Sequence, residues 1–154
     1  MDSISQLVLG AAVGEALLGK KLGNKAMLWG AIAGTIPDLD VLAKQFTDIV
    51  TANEMHRGFS HSILFSVLAA PIFGWLVSKI YRKSQEANWK QWSWLFFWSL
   101  ITHPLLDAHT TWGTQLFWPL ELKVSYQNIF VADPLYTIPF LVCTAAAMFY
   151  HRTN

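Results

Sequence analysis

The sequence predicts an all-α integral membrane bundle, in which a short N-terminal helical hairpin packs beside about three longer helices. Composition is the first reason: 53% of residues are hydrophobic and only 14% charged, against roughly 25% charged in an ordinary soluble domain. Mean hydropathy is +0.33. Segmentation is the second, because five apolar runs are separated by polar turns. The third is the aromatic content of eight Trp and ten Phe, rings that collect at membrane–water interfaces. With 154 residues the chain is read as one domain, 1–154.

The first two runs, about Ile4 to Leu18 and Ala26 to Ile36, fall short of the roughly 20 residues that cross a hydrocarbon core. They carry Gly10-x3-Gly14 and Gly30-x3-Gly34. This spacing lets helix backbones approach closely, although glycine is also simply common in membrane helices. The basic turn from Gly19 to Lys25 closes the hairpin on either reading. The third run, about Phe59 to Tyr81, is long enough to span, and Pro71 removes one helical hydrogen bond and is expected to kink it. Ser60 is the expected N-cap of this helix. The fourth, about Trp92 to Asp107, opens on Trp92, Trp94 and Trp98. The fifth, about Pro134 to Tyr150, follows Asp133 as N-cap and begins with a helix-opening proline. The stretch from Thr110 to Asp133 is long for a connection with neither structure nor function of its own.

Met1-Asp2-Ser3 has no basic n-region and Glu15 interrupts the first apolar run, so insertion is expected to use the chain's own segments rather than a signal peptide. The single Cys143 excludes an internal disulfide or a thiolate cluster and reads as a small buried apolar residue. A net charge of +1 gives no case for a polyanionic partner, and no nucleic acid is expected. If the segments alternate direction, Lys20, Lys21, Lys25, Lys79, Arg82, Lys83, Lys90 and Arg152 share one face, 8 of the 11 basic residues. Asp2, Asp38, Asp40, Asp48, Glu54, Asp107, Glu121 and Asp133 share the other, 8 of the 10 acids, together with all the histidines except His151. Lys and Arg stay on the cytoplasmic side, which places the acidic, His-rich face outside.

Three clusters on that face could carry chemistry. Asp38 and Asp40 follow Pro37, and two carboxylates one residue apart can ligate a cation, although Asp after Pro also suits an ordinary turn. His56 and His61 flank Arg57 and Gly58 at the mouth of the third run. Imidazole is the commonest ligand for zinc-like metals, and Arg57 suits an oxyanion. His103 and Asp107 are four apart and so share a helix face, with His109 just beyond. They read either as two ligands or as a ligand and the carboxylate orienting it. Polar groups of this kind are costly at membrane depth unless they pair or coordinate. Nitrogen and oxygen donors without thiolate favour zinc, with manganese or iron as alternatives. The number of donors leaves room for two or more ions, an arrangement suited to phosphoester hydrolysis.

In these clusters the chain resembles the YdjM-type family of LexA-binding, inner-membrane-associated metal-dependent hydrolases. The resemblance rests on the apolar hairpin, the P-D-x-D of Pro37 to Asp40, the H-R-G-x-S-H-S of His56 to Ser62, and His103-x3-Asp107 followed by Trp112-Gly113 and Trp118-Pro119. The opening Asp2-Ser3-x-Ser5-Gln6 is similar to one branch, in which many members have His where Gln6 stands here and some run longer than 154 residues, which leaves room for a C-terminal part. The family implies a divalent metal and a multi-pass inner-membrane location. Its more distant likeness to zinc-dependent phospholipase C implies a phosphoester or lipid-like substrate, met at the bilayer interface.

The expected metal ligands are Asp38, Asp40, His56, His61, His103 and Asp107, with Gln6 and His109 as further ligands and Ser62 orienting one. Glu54 is expected to be a general base or a further ligand, and Arg57 is expected to hold the anionic group. The rival class is a metal carrier or a non-catalytic membrane scaffold, since intramembrane His and Asp also line ion paths.

Overall fold

In a computed structural model, residues 1–40, 58–82 and 86–149 are described. Among them are five α-helices and no strand: α1 (Ser3–Leu22), α2 (Asn24–Thr35), α3 (Ile63–Ile80), α4 (Trp89–Asp107) and α5 (Pro134–Phe149). A 3-10 turn, Phe59–His61, leads into α3. The all-α class is as expected, but the division into short and long helices is not. α1 has 20 residues because it continues through Lys20 and Lys21 instead of stopping at Leu18. Gly23, at φ 61°, ends it and donates to the Gly19 carbonyl at 2.9 Å, so α2 follows at once.

Local capping sets the remaining starts. Asp2 accepts from Ser5 N at the head of α1. Asn88 and Gln91 form a reciprocal capping box at α4. Asp133 accepts from Leu135 N at α5, as expected. At α3 the N-cap is Ser62, whose Oγ accepts from Phe65 N at 3.0 Å, rather than Ser60. The two residues of offset are the 3-10 turn, so His61 precedes α3 instead of lying in its first turn. Pro71 lies within α3, which runs on to Ile80 without ending there.

α1 packs on α2, α3 on α4, and α4 touches both members of the hairpin. The α1–α2 contact uses the glycines. A Cβ on Gly10 would lie 2.2 Å from the Gly30 carbonyl oxygen, and one on Gly30 would lie 2.1 Å from that of Gly10. Of the two readings of these motifs, close backbone approach is the one realised. Around the hairpin, Leu18, Leu22, Ala33, Ala70, Val77, Leu95, Phe96 and Leu100 form one buried cluster. Trp92 is buried within it, stacked on Tyr81 at 5.6 Å and edge-on to Trp29 at 6.4 Å.

α3 is the one helix among the described residues that is long and apolar enough to cross a membrane. Only 28% of it is buried, and Val67, Leu68, Ile72, Trp75 and Leu76 face outward. α5 is apolar but shorter, and Leu135, Ile138, Val142 and Phe149 are exposed on it. Cys143, expected to be buried, is exposed there too. An outward apolar surface of this extent is stable against lipid and costly against water.

The stretch after α4 has structure of its own. Thr114 and Val124 pair in an antiparallel bridge. Leu116 O accepts from Ile63 N at 3.0 Å, and Val131 O accepts from Asp2 N at 2.7 Å. The stretch is thereby tied to the first residues of α1 and α3. Those helix starts and the ends of α2 and α4 lie at one end of the bundle.

Candidate metal centre

Four side chains from three separate parts of the chain meet at this end: Asp38 after α2, His61 in the 3-10 turn, and His103 and Asp107 on the last turns of α4. One donor atom from each lies within 4.8 Å of every other. His61, His103 and Asp107 are buried, and Asp38 is 24% exposed. The two Nε2 atoms are 3.2 Å apart. Asp107 Oδ2 lies 3.4 Å from His61 Nε2 and 3.8 Å from His103 Nε2. Asp38 Oδ1 lies 3.6 and 3.4 Å from the same two atoms.

The surroundings decide which ring nitrogen is free. His103 Nδ1 lies 2.5 Å from the Gly34 carbonyl. A carbonyl can only accept, so Nδ1 carries the proton and, in the neutral ring, Nε2 presents its lone pair to the cluster. On His61, Nδ1 lies 3.0 Å from Ser60 Oγ, and that hydroxyl donates to Asp40 Oδ2 at 2.8 Å. His61 Nδ1 therefore donates to Ser60 and sits 3.4 Å from Asp40, which turns Nε2 inward as well. Two imidazole lone pairs 3.2 Å apart, faced by two carboxylates, require a positive charge between them.

A proton or a metal ion can supply that charge. For the proton, burial alone would lower the His61 pKa, but the carboxylates of Asp107, Asp38 and Asp40 outweigh it and raise the value to about 10. Burial would likewise raise Asp38, yet its hydrogen bonds to His103 and His61 hold it well below the ordinary carboxylate range. For a metal, the geometry also fits. Ligand distances of about 2.0–2.2 Å around a tetrahedral ion put neighbouring donors about 3.3–3.6 Å apart. The five separations above run from 3.2 to 3.8 Å.

Metal and proton then compete for His61. The ring holds its proton up to about pH 10, so a binding ion must displace it. Metal affinity of the purified chain is expected to rise about tenfold per pH unit across the neutral range. Competition titrations at about pH 6, 7 and 8 check this, and a flat profile would show that no ligand proton is displaced.

The residues expected from the sequence divide into three groups. Asp38, His61, His103 and Asp107 come together. Asp40 lies on the Nδ1 side of His61, where it accepts from the Ser60 hydroxyl, and is not among the four side chains that converge. His109 pairs with Asn128 at 3.0 Å and packs on Tyr126 at 5.1 Å, apart from the cluster. Gln6 is fully buried beside the group, but its Nε2 makes the contacts, donating to Asp107 Oδ1 at 2.9 Å and to the His103 carbonyl at 3.2 Å. Its Oε1 has no hydrogen-bond partner among the described residues. Ser62 holds the 3-10 turn, donating to Phe59 O at 2.7 Å. Glu54, His56 and Arg57 lie outside the described residues.

Sequence reasoning missed three supports. They are the Gly34 carbonyl, the Ser60 hydroxyl and the Met1 amino group, which pairs with Asp107 Oδ1. Only Ser60, next to His61 in sequence, carried a readable signal.

The family model for YdjM inner membrane proteins matches residues 1–154. Inner membrane protein YbcI of Escherichia coli (strain K12) is 29% identical over 117 residues, covering 75% of this chain and 64% of the relative. The chain thus spans less than two thirds of the length of that curated relative. No solved structure matches significantly.

Proposed function

The chain belongs to the YdjM family of inner membrane proteins, and from that premise we propose that it is a membrane-bound, metal-dependent hydrolase acting on a phosphoester or lipid-like substrate at the bilayer interface. The observation that carries this reading is the buried meeting of two imidazole Nε2 atoms and two carboxylates at one end of the bundle. Asp38, His61, His103 and Asp107 would hold a divalent ion, zinc first by donor type. When bound, the ion supplies Lewis acidity toward a phosphoryl oxygen and makes nearby water more acidic.

The chain's own groups do the rest. Gly34 O and the Ser60–Asp40 pair keep both imidazoles turned inward. Gln6 holds Asp107 by Oδ1 and leaves Oδ2 toward the imidazoles. Asp38 is the exposed corner, and so the side from which substrate and water enter. Glu54 is proposed as base and Arg57 as the group that holds the substrate's negative charge. Two buried imidazoles faced by two carboxylates are stabilised by a cation between them, which adds weight to metal occupancy.

The deciding experiment is metal analysis of the detergent-purified chain, followed by a phosphoester panel with the metal retained. Asp38→Asn, which keeps an oxygen donor but removes its charge, should weaken metal binding and lower turnover with it, and Arg57→Ala should raise KM more than it lowers kcat. Full metal with no turnover on any phosphoester or lipid would leave the second reading, a metal-braced membrane scaffold. Its support is that four protein donors already complete a tetrahedral shell, whereas catalytic zinc keeps a position open.

We further propose a multi-pass placement with the metal end outside the cytoplasm, because Lys20, Lys21, Lys25, Lys79, Arg82 and Lys90 all lie at or beyond the opposite helix ends. In a Cys143→Ser background, Leu120→Cys should react with an impermeant maleimide in intact spheroplasts and Lys20→Cys only after lysis. The reverse pattern would invert the placement.

A further inference from the structure

A second feature lies at the basic end of the bundle. Lys21 is 15 residues along α1 from Gln6, and Lys90 is 17 positions before Asp107 on α4. At about 1.5 Å per residue, both are more than about 20 Å from the metal centre. Between α1 and α4 at this end is a cleft of about 460 Å³, lined by Leu17, Leu18, Asn88, Lys90, Gln91 and Trp94.

The lining is layered along the helix axis. Leu17 and Leu18 lie one turn below Lys21 on α1, and Trp94 lies one turn below Lys90 on α4. Polar groups therefore sit at the rim and apolar ones beneath. The rim is also held in place: Lys21 Nζ donates to Gln91 Oε1 at 2.9 Å, and the same oxygen accepts from Asn88 N at 3.1 Å in the capping box. Among the described residues, Lys25 is paired with Glu86 at 2.9 Å, but Lys21 and Lys90 have no carboxylate in ion-pair range.

We propose that this cleft is a binding site for an anionic phospholipid, with the phosphate between Lys21 and Lys90 and the first part of the acyl chains against Leu17, Leu18 and Trp94. The charge is complementary, the apolar floor lies on the bilayer side of the rim, and the basic end faces the leaflet rich in anionic lipid. The assignment rests on the membrane placement above and not on the metal chemistry.

The test uses the full chain in phosphatidylcholine nanodiscs with increasing phosphatidylglycerol, counting lipids retained after mild detergent by native mass spectrometry. The wild type should retain phosphatidylglycerol about 25-fold over phosphatidylcholine, since each of the two lysines near the surface adds about a factor of five. Lys21→Gln with Lys90→Gln should abolish that preference while metal content stays unchanged. Leu17→Trp, which fills the cleft and keeps both charges, should abolish it too. Lys79→Gln, on α3 and with its ammonium over the Trp75 ring of the same helix, should leave it intact. Equal retention of the two lipids, or equal loss in the Lys79 variant, would mean only diffuse attraction and overturn the site. So would preference surviving in Leu17→Trp. Displacement of the lipid by millimolar inorganic phosphate would overturn its assignment as a lipid site.

Discussion

Replacing Asp107 or His61 with alanine is expected to remove bound metal from the purified protein almost completely. Each supplies one of four mutually close donors: losing Asp107 leaves two imidazoles and one carboxylate, losing His61 leaves one imidazole and two carboxylates, and in both the removed donor's place at the ion is left empty. The loss should exceed the roughly 10- to 100-fold weakening typical when a group supporting a ligand is removed. That smaller effect is expected for Asp40→Asn and Ser60→Ala, which release His61 Nδ1 but leave Nε2 in place. Gln6→Ala should fall in the same range through Asp107 Oδ1. Plasma emission spectrometry and a competition titration on all five variants would show the gradient. If Asp107→Ala and His61→Ala keep full stoichiometry, the centre is not where the four donors meet. If Asp40→Asn costs as much as His61→Ala, Asp40 is itself a ligand.

The second large effect lies away from the donors. Gly30→Val should destabilise the protein by about 3 kcal/mol or more, beyond ordinary overpacking. The added Cβ would meet the Gly10 carbonyl at 2.1 Å, and behind it the Gly14 Cα at 3.0 Å. Both neighbours are helix backbone, so no side chain can rotate away and the two helices must separate. Separation also draws the Gly34 carbonyl away from His103 Nδ1 and shifts Asp38, four residues further on. Metal should therefore be lost together with thermal stability in detergent. Gly19→Ala is the matched comparison, because its Cβ meets only the carboxylate end of Glu15, a side chain that can move. It should cost little and keep its metal. A Gly30→Val protein that melts with the wild type and carries full metal would refute the close packing of the hairpin.

The glycines and the ligands show what kinds of information a sequence holds. Helix class, the hairpin and the start at Asp133 follow from apolar runs and capping residues close together in the chain. His103 and Asp107 were readable as a pair because an α-helix brings residues four apart onto one face. The pair could not say whether Asp107 is a ligand or an orienting carboxylate. The structure adds that Gln6, 101 residues away, donates to Oδ1, while Oδ2 faces His61 and His103. Asp40 shows the opposite outcome. Beside Asp38 it reads as an equal ligand, yet the chain leaving α2 gives Asp38 to the Nε2 side and Asp40 to the Nδ1 side of His61.

The sequence by itself determined that the chain is helical and poor in charge, and that His103 and Asp107 share a helix face. These properties depend on composition and on spacings within one helix turn. Only the tertiary structure decided which four donors meet, which ring nitrogens face them, and that Gly10 and Gly30 touch. Those facts join α1, α2, the 3-10 turn and α4, and the physical reason is packing distance: a contact of about 3 Å between segments far apart in the chain leaves no periodicity to read.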